Sequence, residues 1–219
     1  MPDSIDSAVN TFMNNIKTIE DELQRDLEKL AYKMNQMTDT EILATTKKLN
    51  FLQELIDKGY GKELNNLMIE YDVLLAKSVL EANKRGIIPV GSERVEALQT
   101  LKDLDTETLL GRASAWSNEM KKSMFTSIYS GANIRSVVAS IAETELATYQ
   151  MNVAVNTGLR QFSDLSRYSV FRGQDVKWTY VGPQDDRTRD DCQSTHNNEP
   201  AIGYTEGQVN NDTNTPFGV

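Results

Sequence analysis

Cysteine and histidine are almost missing from this chain. One Cys and one His stand among its 219 residues. An internal disulfide framework needs pairs, so none is expected, and a lone thiol fits synthesis in a reducing cytoplasm. Five prolines leave room for long uninterrupted helices. Aromatic residues make up 7% of the chain, so bulk for a core is limited. Mean hydropathy is -0.49, and no apolar run approaches the roughly 20 residues of a membrane span. The start, Met1-Pro2-Asp3-Ser4, lacks the basic-then-apolar pattern of a secretory leader. No Gly-x-Ser-x-Gly elbow, phosphate loop or dinucleotide fingerprint occurs. Catalysis and cofactors are therefore not expected.

Positive charge is also short. The net charge is -9. Residues 1–112 hold 14 Lys/Arg against 20 Asp/Glu, and residues 173–219 hold 3 against 8. A protein that coats DNA shows the opposite sign, because phosphate contacts dominate its affinity. Direct DNA binding is not expected. Lys121, Lys122, Arg135, Arg160, Arg167 and Arg172 form the one locally basic zone, which reads as a solvated helix surface.

What the chain has is helical periodicity. From Ser4 to Met37, apolar residues at Ile5, Val9, Phe12, Ile16, Ile19, Leu23, Leu27, Leu30 and Met34 step by three and four. This is a coiled-coil-like seam, to be buried on a neighbour or on another subunit. Thr38 and Glu41 form a capping box for a second helix, with a stripe of Ile42, Thr46, Leu49, Leu52 and Ile56 up to Gly59. A third carries Leu64, Leu67, Tyr71, Leu74, Ser78 and Ala82, and stops at Gly86. Ile87-Ile88-Pro89-Val90-Gly91 breaks the pattern. Ser92 and Thr106 are candidate caps of two further helices. Another helical region opens at Asn133 or Ser136 and runs through Tyr149 to about Arg167. The expected fold is mainly α: a long N-terminal bundle or coiled-coil region over 1–88, a helical region over 89–170, and a small α+β module over 171–219.

The last part changes character. Val176, Trp178 and Tyr180 alternate with Lys177, Thr179 and Val181, the period of a half-buried strand. Gly182-Pro183 stops it. Asp185-Asp186-Arg187-Thr188-Arg189 follows, a cluster suited to charge-assisted pairing in a compact turn, with Trp178 as its apolar anchor.

Trp178, Asp185, Arg187, Thr188, Arg189 and Cys192, with Asn198 in the turn beyond, resemble the signature of phage head morphogenesis proteins, the Mu-type minor head proteins. A second stretch, with Thr144, Glu145 and Tyr149, then Asn156 and Gly158, resembles the family's Thr-Glu-bearing helix. The two matches span roughly Gly131 to Gly203, in the family's order. The family's Cys-rich closing element has no counterpart before Val219, and no effector domain is expected. The resemblance implies a structural minor head protein of a tailed bacteriophage. It would bind the portal protein or the major capsid protein, as an oligomer. It would assist head assembly or DNA packaging and ejection, and reside in the virion near the portal vertex after synthesis in the host cytoplasm.

Two other readings stand beside it. One is a non-viral helical coiled-coil adaptor. The other is a metal-dependent hydrolase. Cys192 and His196, four apart, are weak zinc candidates, but a structural site needs four ligands. Asp185, Asp186, Asp190 and Asp191 suit Mg²⁺, but Arg187 and Arg189 among them neutralise the cluster. No metal is expected.

Overall fold

Apolar stripes this long must find cover, and in the computed structural model they cover one another. The structure describes all residues except 1, 88–91, 134–135, 138, 141–144, 180–199, 202, 206 and 209–219. Its helices are α1 (Pro2–Met34), α2 (Asp39–Lys48), α3 (Phe51–Asp57), α4 (Tyr60–Lys84), α5 (Ser92–Tyr129) and α6 (Tyr149–Phe171). At 1.5 Å per residue, α5 is about 57 Å long and α1 about 50 Å. No described helix is long and apolar enough to cross a membrane.

Side-chain bonds fix the helix directions. Asn15 donates to Glu63 at 2.7 Å and Lys58 pairs with Asp26 at 2.6 Å, so α1 runs against α4. Lys102 pairs with Asp72 at 2.7 Å, and the Tyr60 hydroxyl donates to the Leu109 carbonyl at 2.9 Å, so α5 also runs against α4. Arg94 donates to the Ser169 carbonyl at 3.1 Å near the start of α5 and the end of α6. Arg160 pairs with Asp6 at 2.7 Å. Thus α1 and α5 point one way and α4 and α6 the other, an up-and-down bundle. The short α2 and α3 pack beside α5, where Lys121 donates to the Leu49 carbonyl at 2.9 Å.

The α1 stripe is buried within the chain itself: Val9, Phe12, Ile16, Leu23 and Leu27 join one hydrophobic cluster with Tyr60, Tyr71, Trp116, Met120 and Phe162. Of the two covers expected for this seam, a neighbour or another subunit, the structure shows neighbouring helices of the same chain. Oligomerisation has no support from an uncovered α1 face.

Other expectations change in detail. The helix expected between Thr38 and Gly59 is two helices. The capping box at Thr38 and Glu41 is present. At Asn50, however, the side chain accepts from the Gln53 amide at 3.2 Å and starts α3. The break moves the buried set to Phe51 and Leu55, in place of Leu52 and Ile56. Gly59 then turns the chain with φ 116, a conformation open to glycine. Thr106 caps nothing. It lies inside α5, and its hydroxyl bonds back to the Lys102 carbonyl at 2.9 Å, a common use of a mid-helix threonine.

The expected α+β module after Phe171 is also corrected. Among the described residues there is no strand, and the segment is held by one antiparallel bridge between Trp178 and Tyr204. The two residues exchange amide bonds of 2.8 and 2.7 Å. Gly203, at φ 81, permits this approach, because a Cβ there would lie 2.9 Å from the Trp178 carbonyl oxygen. The alternation itself is real. Val176 and Trp178 pack on a small cluster of Ala82, Val170 and Phe171, while Lys177 and Thr179 are exposed. Period two reports which side faces a core; here that core is the ends of α4 and α6 rather than a sheet.

Candidate functional site

A helix start needs acceptors for its first amides, and the start of α6 draws on two sources. Thr148, extended at φ -79 and ψ 162, accepts from the Met151 amide at 3.2 Å. Just before it, Glu20 reaches across from α1. Its Oε1 accepts the Leu146 N–H at 2.9 Å and its Oε2 accepts the Ala147 N–H at 3.2 Å. Glu20 is 0% exposed. Burial pushes its carboxyl above the ordinary range, against the pull of the two amides and Lys17. Lys17 lies 3.8 Å from it and Gln24 3.5 Å.

This arrangement overturns the continuous helix expected to carry Thr144, Glu145 and Tyr149. Glu145 to Thr148 are not helical, because Glu20 takes the Leu146 and Ala147 amides out of any helical ladder. Thr144 lies outside the described residues. Glu145 is exposed. Tyr149 is the first residue of α6 and is 82% exposed. Glu20 was missed from sequence. Its signal was its position between Ile19 and Leu23, a carboxylate on the edge of an apolar stripe.

Farther along α6, three helices meet at Gly158. A Cβ there would lie 2.7 Å from the Tyr71 hydroxyl of α4 and 2.8 Å from Oδ2 of Asp105 on α5. Without it, the Tyr71 hydroxyl donates to Asp105 at 2.8 Å. Tyr71 also meets Phe162 edge-on, with ring centroids 4.9 Å apart. Burial pushes the Tyr71 phenol and the Asp105 carboxyl upward, the first reinforced and the second opposed by their shared bond.

From this node a groove of about 450 Å³ opens between α5 and α6. Asp105, Thr108 and Arg112 line it from α5, and Tyr149, Val153 and Thr157 from α6. The helices are antiparallel, so Arg112 lies toward the Tyr149 end. The Arg112 Nε–H is buried and finds no acceptor. The exposed Tyr149 at this end of the groove offers aromatic surface to a partner.

The C-terminal motif is only partly within view. Trp178 is half-buried and tilts against Tyr168, with centroids 5.6 Å apart. It anchors the segment on the helix ends. Asp185, Arg187, Thr188, Arg189, Cys192, His196 and Asn198 lie outside the described residues. Among the described residues, no three His, Cys, Asp or Glu side chains converge as a metal site would require. The basic zone is dispersed: Lys121 bonds to Leu49, Arg160 to Asp6, and Arg172 lies 5.8 Å over the Tyr168 ring.

Trp178→Ala removes the anchor of one small cluster and leaves the main core untouched. The Trp178 and Tyr204 amide bonds are expected to lose hydrogen-exchange protection, with bundle amides unchanged. Loss of protection throughout α1 and α4 would show that the anchor belongs to the global fold.

Compared with protein-family models, curated proteins and solved structures, the chain matches none.

Proposed function

We propose that this chain is a structural, non-catalytic component of a tailed-phage head, bound beside the portal or the inner capsid. The observation that carries the reading is the ordered pair of motifs. Thr144, Glu145 and Tyr149 precede Trp178, and Asp185, Arg187, Thr188, Arg189 and Cys192 follow at the family's spacing. The surroundings of the two described motif aromatics agree with a docking role. Tyr149 stands in solvent over a groove, and Trp178 fastens the C-terminal segment to the bundle. Tyr and Arg are favoured anchors of protein interfaces, and Arg112 shares the Tyr149 groove. The net charge of -9 suits a protein that sits near packaged DNA without adhering, since like charges repel within a Debye length of about 8 Å.

The test is peptide-mass analysis of purified virions and procapsids, with co-sedimentation of the purified chain on portal rings. Its peptides are expected in both particles, and the chain is expected to pellet with the rings. Absence from both particles and no binding to rings would sink the head-protein reading and leave the helical adaptor.

A further inference from the structure

We infer that the outward face of α4 is where a second copy of this chain docks, the two α4 helices lying antiparallel about a twofold axis. The inference does not rest on the phage-head reading. Exposed apolar residues are ordinary when scattered singly. On α4 they are aligned. Ile69, Val73, Ala76 and Leu80 step by four, three and four, and at 3.6 residues per turn they fall within roughly 60° of one another. That line is centred opposite the stripe that α4 buries. Ile69 is 56% and Leu80 54% exposed, Ala76 is exposed and Val73 is half-buried. Helix α4 therefore carries two apolar faces, of which the bundle uses one.

The spacing names the occupant. Steps of four, three and four read the same in both directions, so the line matches its own reverse. A twofold contact requires this, because a residue that meets a second residue across the axis must be met by it in turn. With the axis midway between Val73 and Ala76, Ile69 meets Leu80 of the partner subunit and Val73 meets Ala76 of the partner subunit. Large side chains meet at both ends, and the small Ala76 lets the helices approach in the middle. Charge agrees with the same register. Glu70 and Lys77 flank the line on one side, seven residues apart. That is about 10 Å along the axis, too far for them to pair with each other. Among the described residues neither has an ion-pair partner. In the antiparallel register Glu70 of each copy faces Lys77 of the other, the flanking pairing that selects helix partners in coiled coils. A parallel pairing would set Asp72 against Lys77 instead, and Asp72 is already held by Lys102 at 2.7 Å. It would also oppose Ala76 to itself and leave the seam underfilled.

The experiment is sedimentation velocity of the full chain over a wide concentration range. The mass is expected to rise from 24.6 kDa toward twice that value. Ile69→Lys and Leu80→Lys, both at exposed positions, should each hold the chain at the monomer mass with an unchanged melting temperature. Glu70→Lys and Lys77→Glu each set like charges against one another at both flanking contacts. Each is expected to raise the dissociation constant of the dimer at least about tenfold. An equimolar mixture of these two variants should associate as tightly as the parent, since both flanking contacts of a mixed pair again join opposite charges. That rescue belongs to the antiparallel register alone, and general loss of solubility or folding would not produce it. The inference is overturned if the chain stays monomeric at every concentration, or if Ile69→Lys and Leu80→Lys dimerise as the parent does. It is overturned as well if the mixture is no heavier than its separate components. A monomer that binds portal rings and loses them with Ile69→Lys would also overturn it, and would assign the face to a different protein.

Discussion

Gly158→Ala is expected to destabilise the protein by about 2 kcal/mol, reversing the usual sign of a glycine-to-alanine change inside a helix. In a helix interior, alanine is ordinarily better than glycine by roughly 1 kcal/mol. At Gly158 the new methyl would meet the Tyr71 hydroxyl at 2.7 Å and the Asp105 carboxylate at 2.8 Å. Tyr71 cannot swing away, since it is fully buried and packed against Phe162. Either the Tyr71–Asp105 bond breaks, leaving a buried hydroxyl unpaired at about 1–3 kcal/mol, or α6 moves off α4 and α5. Overpacking of this kind typically costs about 1–3 kcal/mol. Gly111, within α5, has nothing within 4 Å of its missing Cβ. Gly111→Ala should therefore stabilise by about 0.5–1 kcal/mol. Thermal melts of the two variants should move in opposite directions, at roughly 2–4 °C per kcal/mol for a chain of this size. Two upward shifts would show that the three-helix node at Gly158 is looser than its geometry.

Glu20→Ala is expected to cost about 3 kcal/mol, since it strips two amides, Leu146 and Ala147, of their acceptor, and an unmet buried donor costs roughly 1–3 kcal/mol. The loss should first appear as fraying at the start of α6. Glu20→Gln separates geometry from charge. It keeps one acceptor oxygen and sets an NH₂ group against the second amide, so it should fall between the parent and alanine. The pH dependence has a definite sign. Burial raises the folded pKa of Glu20 above its ordinary 4.5, against the opposing pull of the Leu146 and Ala147 amides and of Lys17, with Glu145 adding a small push upward. The folded state then holds the proton more tightly than the unfolded state. The contribution of Glu20 is complete below pH 4.5 and declines as pH rises through its higher folded value. Glu20→Gln should remove that decline and flatten the melting temperature against pH just above 4.5. Denaturant titrations at stepped pH check this. An identical slope in parent and variant would mean that Glu20 does not titrate differently on folding.

Much of the helical layout was legible in the residues alone. The three-four spacing of Ile5, Val9, Phe12, Ile16 and Leu23 marked α1 and its buried face. The spacing of Leu64, Leu67, Tyr71, Leu74, Ser78 and Ala82 marked α4, and all six are buried. Thr38 and Glu41 announced a helix start that the structure contains. These features are local: a stripe or a cap is written within a few turns of chain, and its physics acts at that range. The break at Asn50 was harder to read, because an apolar stripe continues across it with a shift of one residue.

What covers each stripe was decided by the tertiary structure. The α1 seam has the same sequence whether it meets another subunit or α4 and α6, and long-range packing settled it within the chain. The Trp178 alternation named a buried side but not its partner, which proved to be helix ends. Glu20 acts 126 residues away in sequence, on Leu146. Asp105, Tyr71 and Gly158 form one node only because three helices cross there. The Arg112 groove exists only because α5 and α6 lie side by side. Period and capping are properties of neighbouring residues and are fixed by sequence. Burial of a charge, close approach at a glycine and the shape of a groove depend on elements that meet only when the chain has folded.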